Sequence, residues 1–243
     1  MDGRDVLTRV EDTTTSLSLK NKNLESLENI KHLDKLPRLE SLDLSNNNIK
    51  DMKPIGAIKT LKYVNLNDNA IDQIQGLGSL SNLMGLHMAR NHITWMSGLS
   101  GLRKLRFVKL NENNIKQIGG LKGLPSFEHL ILANNKISEI SGLDQIKSMQ
   151  TLDLSGNQIK RISGLYMLPN LTELNLQGNQ ISEMTGLSKL ASLERLDLAD
   201  NGITKVSGLE KLENLNYVNL TGNPIEGHDL SNWKAEYWKN LGE

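Results

Sequence analysis

Leu39-Glu40-Ser41-Leu42-Asp43-Leu44-Ser45-Asn46-Asn47 is one copy of the pattern L-x-x-L-x-L-x-x-N, which recurs through the chain. Its closing asparagine returns every 22 residues. The nine asparagines are Asn47, Asn69, Asn91, Asn113, Asn135, Asn157, Asn179, Asn201 and Asn223. Self-similarity at a period of about 20 to 50 residues indicates stacked structural repeats. We therefore interpret the sequence as a repeat solenoid.

Each repeat has two halves that differ in apolar spacing. The L-x-L half alternates apolar and polar residues, which predicts a short strand with one buried face. The second half reads I-x-x-[IMV]-x-[GP]-[LI]-x-x-[LI], and its spacing by three predicts a tight 3₁₀ or helical return. A strand and a return cannot bury their own leucines, so the repeats must stack. We expect an α/β repeat solenoid with a parallel sheet of about ten strands.

The asparagine column has a physical role in such a stack. The chain leaves its strand at this position, and backbone groups that are buried there must find hydrogen-bond partners. A side-chain amide offers both a donor and an acceptor for them. We therefore predict that the nine asparagines form a structural ladder.

We expect one domain over residues 1–243, because no linker or composition break interrupts the repeats. Residues 1–24 are predicted to form an N-terminal cap and an irregular first strand, in which Lys22 stands at the asparagine position. Residues 25–223 form the regular repeats. Residues 224–243 are predicted to form a C-terminal cap helix. Its apolar stripe is Leu230, Trp233, Tyr237 and Leu241.

On these motifs, the sequence resembles the leucine-rich repeat superfamily along nearly its whole length. The 22-residue period with I-x-x-I-x-G-L is similar to the subclass typified by the nuclear regulatory subunit of protein phosphatase 1. The bacterial internalins share the period and often carry proline where most units here carry glycine; Pro54 is the one such proline here. The resemblance implies a horseshoe with a concave sheet and convex returns. It also implies a protein partner on the concave face, for which a Ser/Thr phosphatase catalytic subunit is the natural candidate.

Composition excludes several classes of function. The chain has 28 basic and 28 acidic residues and no run rich in Lys or Arg, so we expect no nucleic-acid or membrane partner. With no cysteine it can form neither a disulfide nor a thiolate zinc site. Residues 1–30 contain no apolar signal segment, and no run of eighteen apolar residues occurs. We expect an intracellular protein, cytoplasmic or nuclear.

The sequence predicts no catalytic site, no metal and no cofactor. The five histidines are His32, His87, His92, His129 and His228. None belongs to an H-E-x-x-H motif, and no glycine-rich phosphate loop or nucleophile elbow occurs. The glycines recur at one repeat position, which indicates turn glycines. We therefore expect that the chain is not an enzyme.

The polar strand positions form columns on the predicted concave face. Large or apolar residues interrupt these columns, and aromatic anchors among polar groups are typical of protein-binding surfaces. The predicted partner-binding residues are Tyr63, Asn65, His87, Phe107, Lys109, His129, Ile131 and Tyr217. The alternative is that the aromatic residues serve cross-strand packing alone.

Trp95 is the only apolar residue in a polar column of the returns. An exposed indole at this rim is attractive as a contact site, although it could instead fold down over Met96. In the C-terminal half, Asp153, Glu173 and Asp197 lie with Arg195 on the predicted concave face. This mixed patch is interpreted as a solvated face with local pairing, or as a site for a basic segment or a cation.

The function that these features favour is a non-catalytic scaffold, a monomer that binds a folded protein on its concave face. A phosphatase-regulatory adaptor is the specific form that the resemblance implies. Two alternatives stay open: an internalin-like bacterial adhesin or secreted effector, and a structural subunit of a larger complex that is held through its convex face or its termini.

Overall fold

The computed structural model describes residues 13–28, 30 and 36–225. They form ten three-residue strands that follow one another in chain order in a single sheet. The strands are β1 (Ser16–Ser18), β2 (Ser41–Asp43), β3 (Tyr63–Asn65), β4 (Gly85–His87), β5 (Phe107–Lys109), β6 (His129–Ile131), β7 (Thr151–Asp153), β8 (Glu173–Asn175), β9 (Arg195–Asp197) and β10 (Tyr217–Asn219). The predicted parallel solenoid of about ten strands is confirmed.

The chain divides into two compact units, and each is described by itself below. Unit 1 holds β1 to β5 and comprises residues 1–114 and 120–127; unit 2 holds β6 to β10 and comprises residues 115–119 and 128–243. Within each unit the strands pair in parallel, so that residues of the same repeat position lie side by side. The single domain over residues 1–243 stays a prediction. The first twelve residues of the N-terminal cap lie outside the described part, as does the predicted C-terminal helix from residue 226 onward.

The returns are built from 3₁₀-type turns. In one of them the N–H of Leu80 donates to the carbonyl of Leu77 at 2.9 Å, and the N–H of Leu83 donates to Leu80 at 2.9 Å. Only one return in the described residues winds into a 3₁₀ helix, Lys53–Ala57. Pro54 lies in its first turn, where proline costs no hydrogen bond because that N–H has no partner within the helix. Spacing by three thus produces single turns that join end to end.

The core consists of aliphatic layers, one for each repeat. Leu39, Leu42, Leu44 and Ile49 of one repeat are each at most 1% exposed. Burying such a side chain contributes about 1.5–3 kcal/mol, so stacking the repeats provides the main favourable term. Phe127, which takes a leucine position, is completely buried and is therefore a core residue.

The asparagine ladder ties each repeat to the one before it. In Asn91, Oδ1 accepts a hydrogen bond from the N–H of Ile71 at 3.0 Å, and Nδ2 donates to the carbonyl of Leu66 at 2.9 Å. Nδ2 also contacts the carbonyl of Met88 in its own repeat at 3.2 Å. The side chain thus satisfies backbone groups at the strand exit, which is the role that the sequence predicts for it.

The turn glycines allow the returns to stack backbone against backbone. Gly98 has φ 78°, and a Cβ atom there would lie 2.3 Å from the carbonyl oxygen of Ile74 in the preceding repeat. A Cβ atom at Gly186 would likewise lie 2.2 Å from the carbonyl oxygen of Ile162. Both the left-handed backbone and the lack of space require glycine.

Candidate functional site

One face of the sheet carries the predicted site residues. The central residue of each strand from β2 to β10 is buried, whereas the first and third residues point to the opposite face. Most of these outward residues are half-buried or exposed. We call this side the open sheet face, and we describe it separately in the two units.

In unit 1, Tyr63 is the most exposed large side chain of the sheet, with 50% of its surface accessible. Its ring lies across Gly85 of the next strand: a Cβ atom at Gly85 would be 2.9 Å from Cδ1 of Tyr63. The Tyr63 hydroxyl donates a weak hydrogen bond to Sδ of Met84 at 3.8 Å. Because glycine has no side chain, the ring can lie over the strand and expose one of its faces.

Beside this ring, His87 packs against Phe107. The ring centroids are 5.0 Å apart and the ring planes are tilted by 44°. Burial lowers the pKa of His87, and the positive charge of Lys109 lowers it further, while Asp43 opposes the shift. The imidazole is therefore neutral at pH 7. We call Tyr63, Met84, His87 and Phe107 together the aromatic patch.

A groove adjoins the aromatic patch on the open sheet face of unit 1. Its volume is about 250 Å³, and its polar and aromatic lining consists of Ser41, Asp43, Tyr63, Asn65 and His87. Oδ1 of Asp43 accepts a hydrogen bond from the N–H of Ser45 at 2.9 Å, which holds the carboxylate in place. The groove thus combines one carboxylate with one exposed aromatic ring.

In unit 2 the predicted site residues lie at two places on the open sheet face. On β6, Nδ1 of His129 is 3.1 Å from Oγ1 of Thr151, and Ile131 is half-buried. On β10, Tyr217 is covered by Arg195, whose guanidinium carbon is 4.4 Å from the ring centroid. A groove of about 320 Å³ lies between these positions, and both Ile131 and Tyr217 line it.

The acidic residues of unit 2 lie in the same groove. Asp153, Glu173 and Asp197 line it together with Arg195. Both oxygens of Asp197 accept hydrogen bonds within the sheet, from the N–H of Ala199 at 3.0 Å and from Nδ2 of Asn219 at 3.1 Å. Oδ1 of Asp153 accepts hydrogen bonds from the N–H and the hydroxyl of Ser155, at 2.9 and 2.7 Å. Local hydrogen bonds therefore account for two of the three carboxylates.

On the returns, two aromatic side chains are exposed. Trp95 has 51% of its surface accessible and Tyr166 has 61%, whereas Met96 is fully buried. About half of the Trp95 surface thus faces solvent. Whether Trp95 takes part in binding stays a prediction.

A charged cluster follows the strands β3 to β5 in unit 1. The guanidinium of Arg90 makes two contacts with the carboxylate of Asp68, one of them at 2.8 Å, and it lies 3.4 Å from Glu112. The hydrogen bond from Arg90 holds the pKa of Asp68 below its usual range. Arg90 (φ 53°) and Glu112 (φ 56°) both have left-handed backbones, at a position where other repeats carry Gly, Asn or Asp. The ion pairs offset part of this strain.

The structure brings together the unit 1 residues that the sequence predicts. Tyr63 and Asn65, His87, and Phe107 and Lys109 lie on the consecutive strands β3, β4 and β5. Met84, Ser41 and Asp43 are not among the site residues that the sequence predicts. Met84 had a visible signal, because it is the only apolar residue in the column Glu40, Lys62, Met84, Arg106, Glu128, Gln150, Thr172, Glu194 and Asn216.

Within residues 13–28, 30 and 36–225, no cluster of three or more His, Cys, Asp or Glu side chains could hold a metal ion. No helix in this part of the chain is long and apolar enough to cross a membrane.

Comparison with known proteins assigns the family. Four segments, residues 37–82, 103–145, 147–189 and 191–235, match the family described as Leucine Rich repeats (2 copies). Together these segments cover more than two thirds of the chain. The chain belongs to the leucine-rich repeat family. No curated protein sequence matches this leucine-rich repeat protein at a significant level.

Solved structures similar to this leucine-rich repeat protein include an internalin and TLR13. Internalin C2 from Listeria monocytogenes is 28% identical, with a TM-score of 0.63; the match covers 85% of this chain and 80% of the internalin chain. TLR13, in a complex with ssRNA13, is 27% identical, with a TM-score of 0.77 over 85% of this chain. This chain spans 32% of the TLR13 chain.

A third similar structure is the functional domain of InlJ from Listeria monocytogenes. It is 20% identical, with a TM-score of 0.64, and the match covers 90% of this chain and 51% of the InlJ chain. At this identity the similarity concerns the fold alone. The resemblance to internalins that the repeat motif indicates is thus found among solved structures.

Proposed function

We propose that this leucine-rich repeat protein is a non-catalytic scaffold that binds a folded protein partner through its open sheet face. The observation that carries the proposal is the aromatic patch of unit 1, where the half-exposed ring of Tyr63 adjoins the packed pair of His87 and Phe107. Aromatic residues that are surrounded by polar groups dominate the binding energy of protein interfaces. The sheet holds these rings on rigid strands, which lowers the entropic cost of binding.

Three more specific proposals concern the partner and the compartment. A Ser/Thr phosphatase catalytic subunit is the partner that the resemblance of the repeat motif implies, and an intracellular location, cytoplasmic or nuclear, is proposed with it. An internalin-like adhesin or effector is supported by the 28% identity with internalin C2. TLR13 was solved with ssRNA13, but the zero formal net charge of this chain favours a protein over a nucleic acid. A structural subunit that is held through its returns would instead depend on Trp95 and Tyr166.

Affinity capture from a lysate of the source cells tests the proposal, with the wild type compared to a Tyr63→Ala, Phe107→Ala variant. The partner identified with the wild type is then titrated against each single variant. Each substitution should weaken binding by about 1–3 kcal/mol, or about 5- to 150-fold, because it removes an aromatic anchor.

The matched control is a Trp95→Ala, Tyr166→Ala variant, which removes two exposed aromatic residues from the returns. It should bind the partner as the wild type does. If this control loses the partner and the Tyr63, Phe107 variant retains it, the open sheet face is the wrong surface. A phosphatase catalytic subunit in the capture would support the adaptor proposal, and a host surface protein would support the internalin-like one.

A further inference from the structure

Two strand pairs in different parts of the chain are nearly identical on the open sheet face. In unit 1, β2 reads Ser-Leu-Asp and β3 reads Tyr-Val-Asn; in unit 2, β9 reads Arg-Leu-Asp and β10 reads Tyr-Val-Asn. Their registers agree, since Ser41 pairs with Tyr63 and Arg195 pairs with Tyr217. Of the six paired residues, only Ser41 and Arg195 differ. Unit 2 therefore shows how a long side chain at the position equivalent to Ser41 contacts the neighbouring tyrosine.

In unit 2 the arginine of this pair lies on the tyrosine. The guanidinium carbon of Arg195 is 4.4 Å from the Tyr217 ring centroid, within the range of a cation–π contact. The neighbouring Asp197 has both oxygens engaged, by the N–H of Ala199 and by Nδ2 of Asn219. In this repeat, the protein supplies its own guanidinium to the tyrosine.

In unit 1 the same place is open. Ser41 is too short to reach over Tyr63, and a groove of about 250 Å³ lies between the two residues and Asp43. Half of the Tyr63 surface is exposed. Oδ1 of Asp43 accepts the N–H of Ser45, but no donor in the described residues hydrogen-bonds to Oδ2, and Asp43 makes no ion pair there. The groove thus holds a carboxylate that has no ion pair in the described residues, beside a half-exposed tyrosine ring.

We propose that this groove binds an arginine side chain of the partner protein, with its guanidinium stacked on Tyr63 and donating hydrogen bonds to Oδ2 of Asp43. Guanidinium fits better than ammonium, because its plane can stack on the ring while its edge donates to the carboxylate. The proposal rests on the proposed function, since it names the chemistry of the partner that the open sheet face binds.

The first test titrates the full chain with N-acetyl-arginine amide and follows the backbone amide signals by NMR. The signals of Ser41 and Asn65 should shift in a saturable manner with a stoichiometry of one. N-acetyl-citrulline amide has the same shape without the charge and should bind at least about tenfold more weakly. The Asp43→Asn variant should bind N-acetyl-arginine amide at least about tenfold more weakly than the wild type does. Equal binding of citrulline, or shifts that do not saturate, would overturn the proposal.

The second test exchanges the one residue that differs between the strand pairs. Ser41→Arg should place an internal guanidinium on Tyr63 and abolish binding of N-acetyl-arginine amide. Arg195→Ser should uncover the Tyr217 ring but leave Oδ2 of Asp197 bonded to Nδ2 of Asn219, so the stoichiometry should stay at one. Amide spectra and thermal unfolding verify that both variants are folded, and Arg195→Ala provides a second variant with the same expectation. If Ser41→Arg still binds at the unit 1 groove, the assignment is wrong.

The captured partner separates this inference from the proposed function. Ser41→Arg should weaken the partner's binding while leaving the Phe107 anchor intact. If Ser41→Arg binds the partner as the wild type does while Tyr63→Ala, Phe107→Ala does not, the arginine site is refuted and the scaffold stands. If neither variant affects the partner, the proposed use of the open sheet face fails as well.

Discussion

At the scale of single residues, the protonation of His87 on the open sheet face depends on burial and on neighbouring charges. It is half-buried against Phe107, and Lys109 lies on the neighbouring strand. Both burial and this positive charge oppose protonation, so the pKa of His87 lies below its ordinary value of 6.5. Asp43 on the other side weakens the effect without reversing it.

This shift predicts how stability depends on pH. Between the folded pKa and 6.5 the unfolded chain binds more protons than the folded chain, so the free energy of unfolding falls as pH decreases through this range. His87→Gln should lose less stability than the wild type between pH 7.5 and pH 5, as measured by urea unfolding. His92→Gln, at an exposed position, is the control and should behave as the wild type does. An unchanged pH dependence in His87→Gln would contradict the prediction.

Sequence reasoning at this scale predicted where side chains lie but not how they are oriented. The column positions place Tyr63, His87 and Phe107 on one face of consecutive strands, and the structure agrees. That the Tyr63 ring lies across Gly85 depends on the size of a neighbour in the next repeat. The rotamer of Tyr63 follows from this contact, and the repeat pattern of the sequence does not predict it.

At the scale of the elements, the returns are kept together by glycines at one repeat position. The close approach of Gly98 to the carbonyl of Ile74 leaves no room for a side chain. Gly78 also lies in a return, yet nothing would come within 4 Å of a Cβ atom there. Both glycines lie in turns, but only Gly98 is required by its backbone conformation and its close contact; a side chain would fit at Gly78.

This difference predicts opposite effects for the same substitution. Gly98→Ala should lower the free energy of unfolding by about 3 kcal/mol or more, because it combines backbone strain with a clash. Gly78→Ala should change it by less than about 1 kcal/mol and has a stabilising tendency, since it restricts the unfolded chain. Urea unfolding of the two variants decides the matter. Equal losses would mean that the close approach between the returns does not contribute to stability.

At the scale of the whole molecule, the asparagine ladder repeats one device in every layer. Eight of the nine asparagines are at most 9% exposed, so an unpaired amide or backbone group at these positions would be costly. Each side chain also binds the repeat before its own, as Asn91 binds Ile71 and Leu66. Stability therefore depends on interfaces between neighbouring repeats.

Asn91→Ala should lower the free energy of unfolding by about 1–3 kcal/mol, because it leaves the buried N–H of Ile71 without its partner. The carbonyls of Leu66 and Met88 lose one donor each but keep the side-chain amides of Asn69 and Asn113. Asn48→Ala, at an exposed position, is the control and should change it by less than about 0.5 kcal/mol. Hydrogen exchange should accelerate most at the Ile71 amide and least in layers several repeats away, such as that of Asn179. Uniform acceleration would argue against stability by nearest neighbours.

The sequence alone determined the parallel strands in chain order, the aliphatic layers and the asparagine ladder. It could do so because every repeat contains the same strand, return and asparagine at the same spacing. The pattern is therefore visible in nine copies along the chain. Only the tertiary structure decided which exposed side chains meet: Arg195 lies on Tyr217, while the equivalent ring of Tyr63 is open beside Asp43. The physical reason is that neighbours across these strands are 22 residues apart in the chain, so their contacts depend on side-chain length and rotamer in adjacent layers.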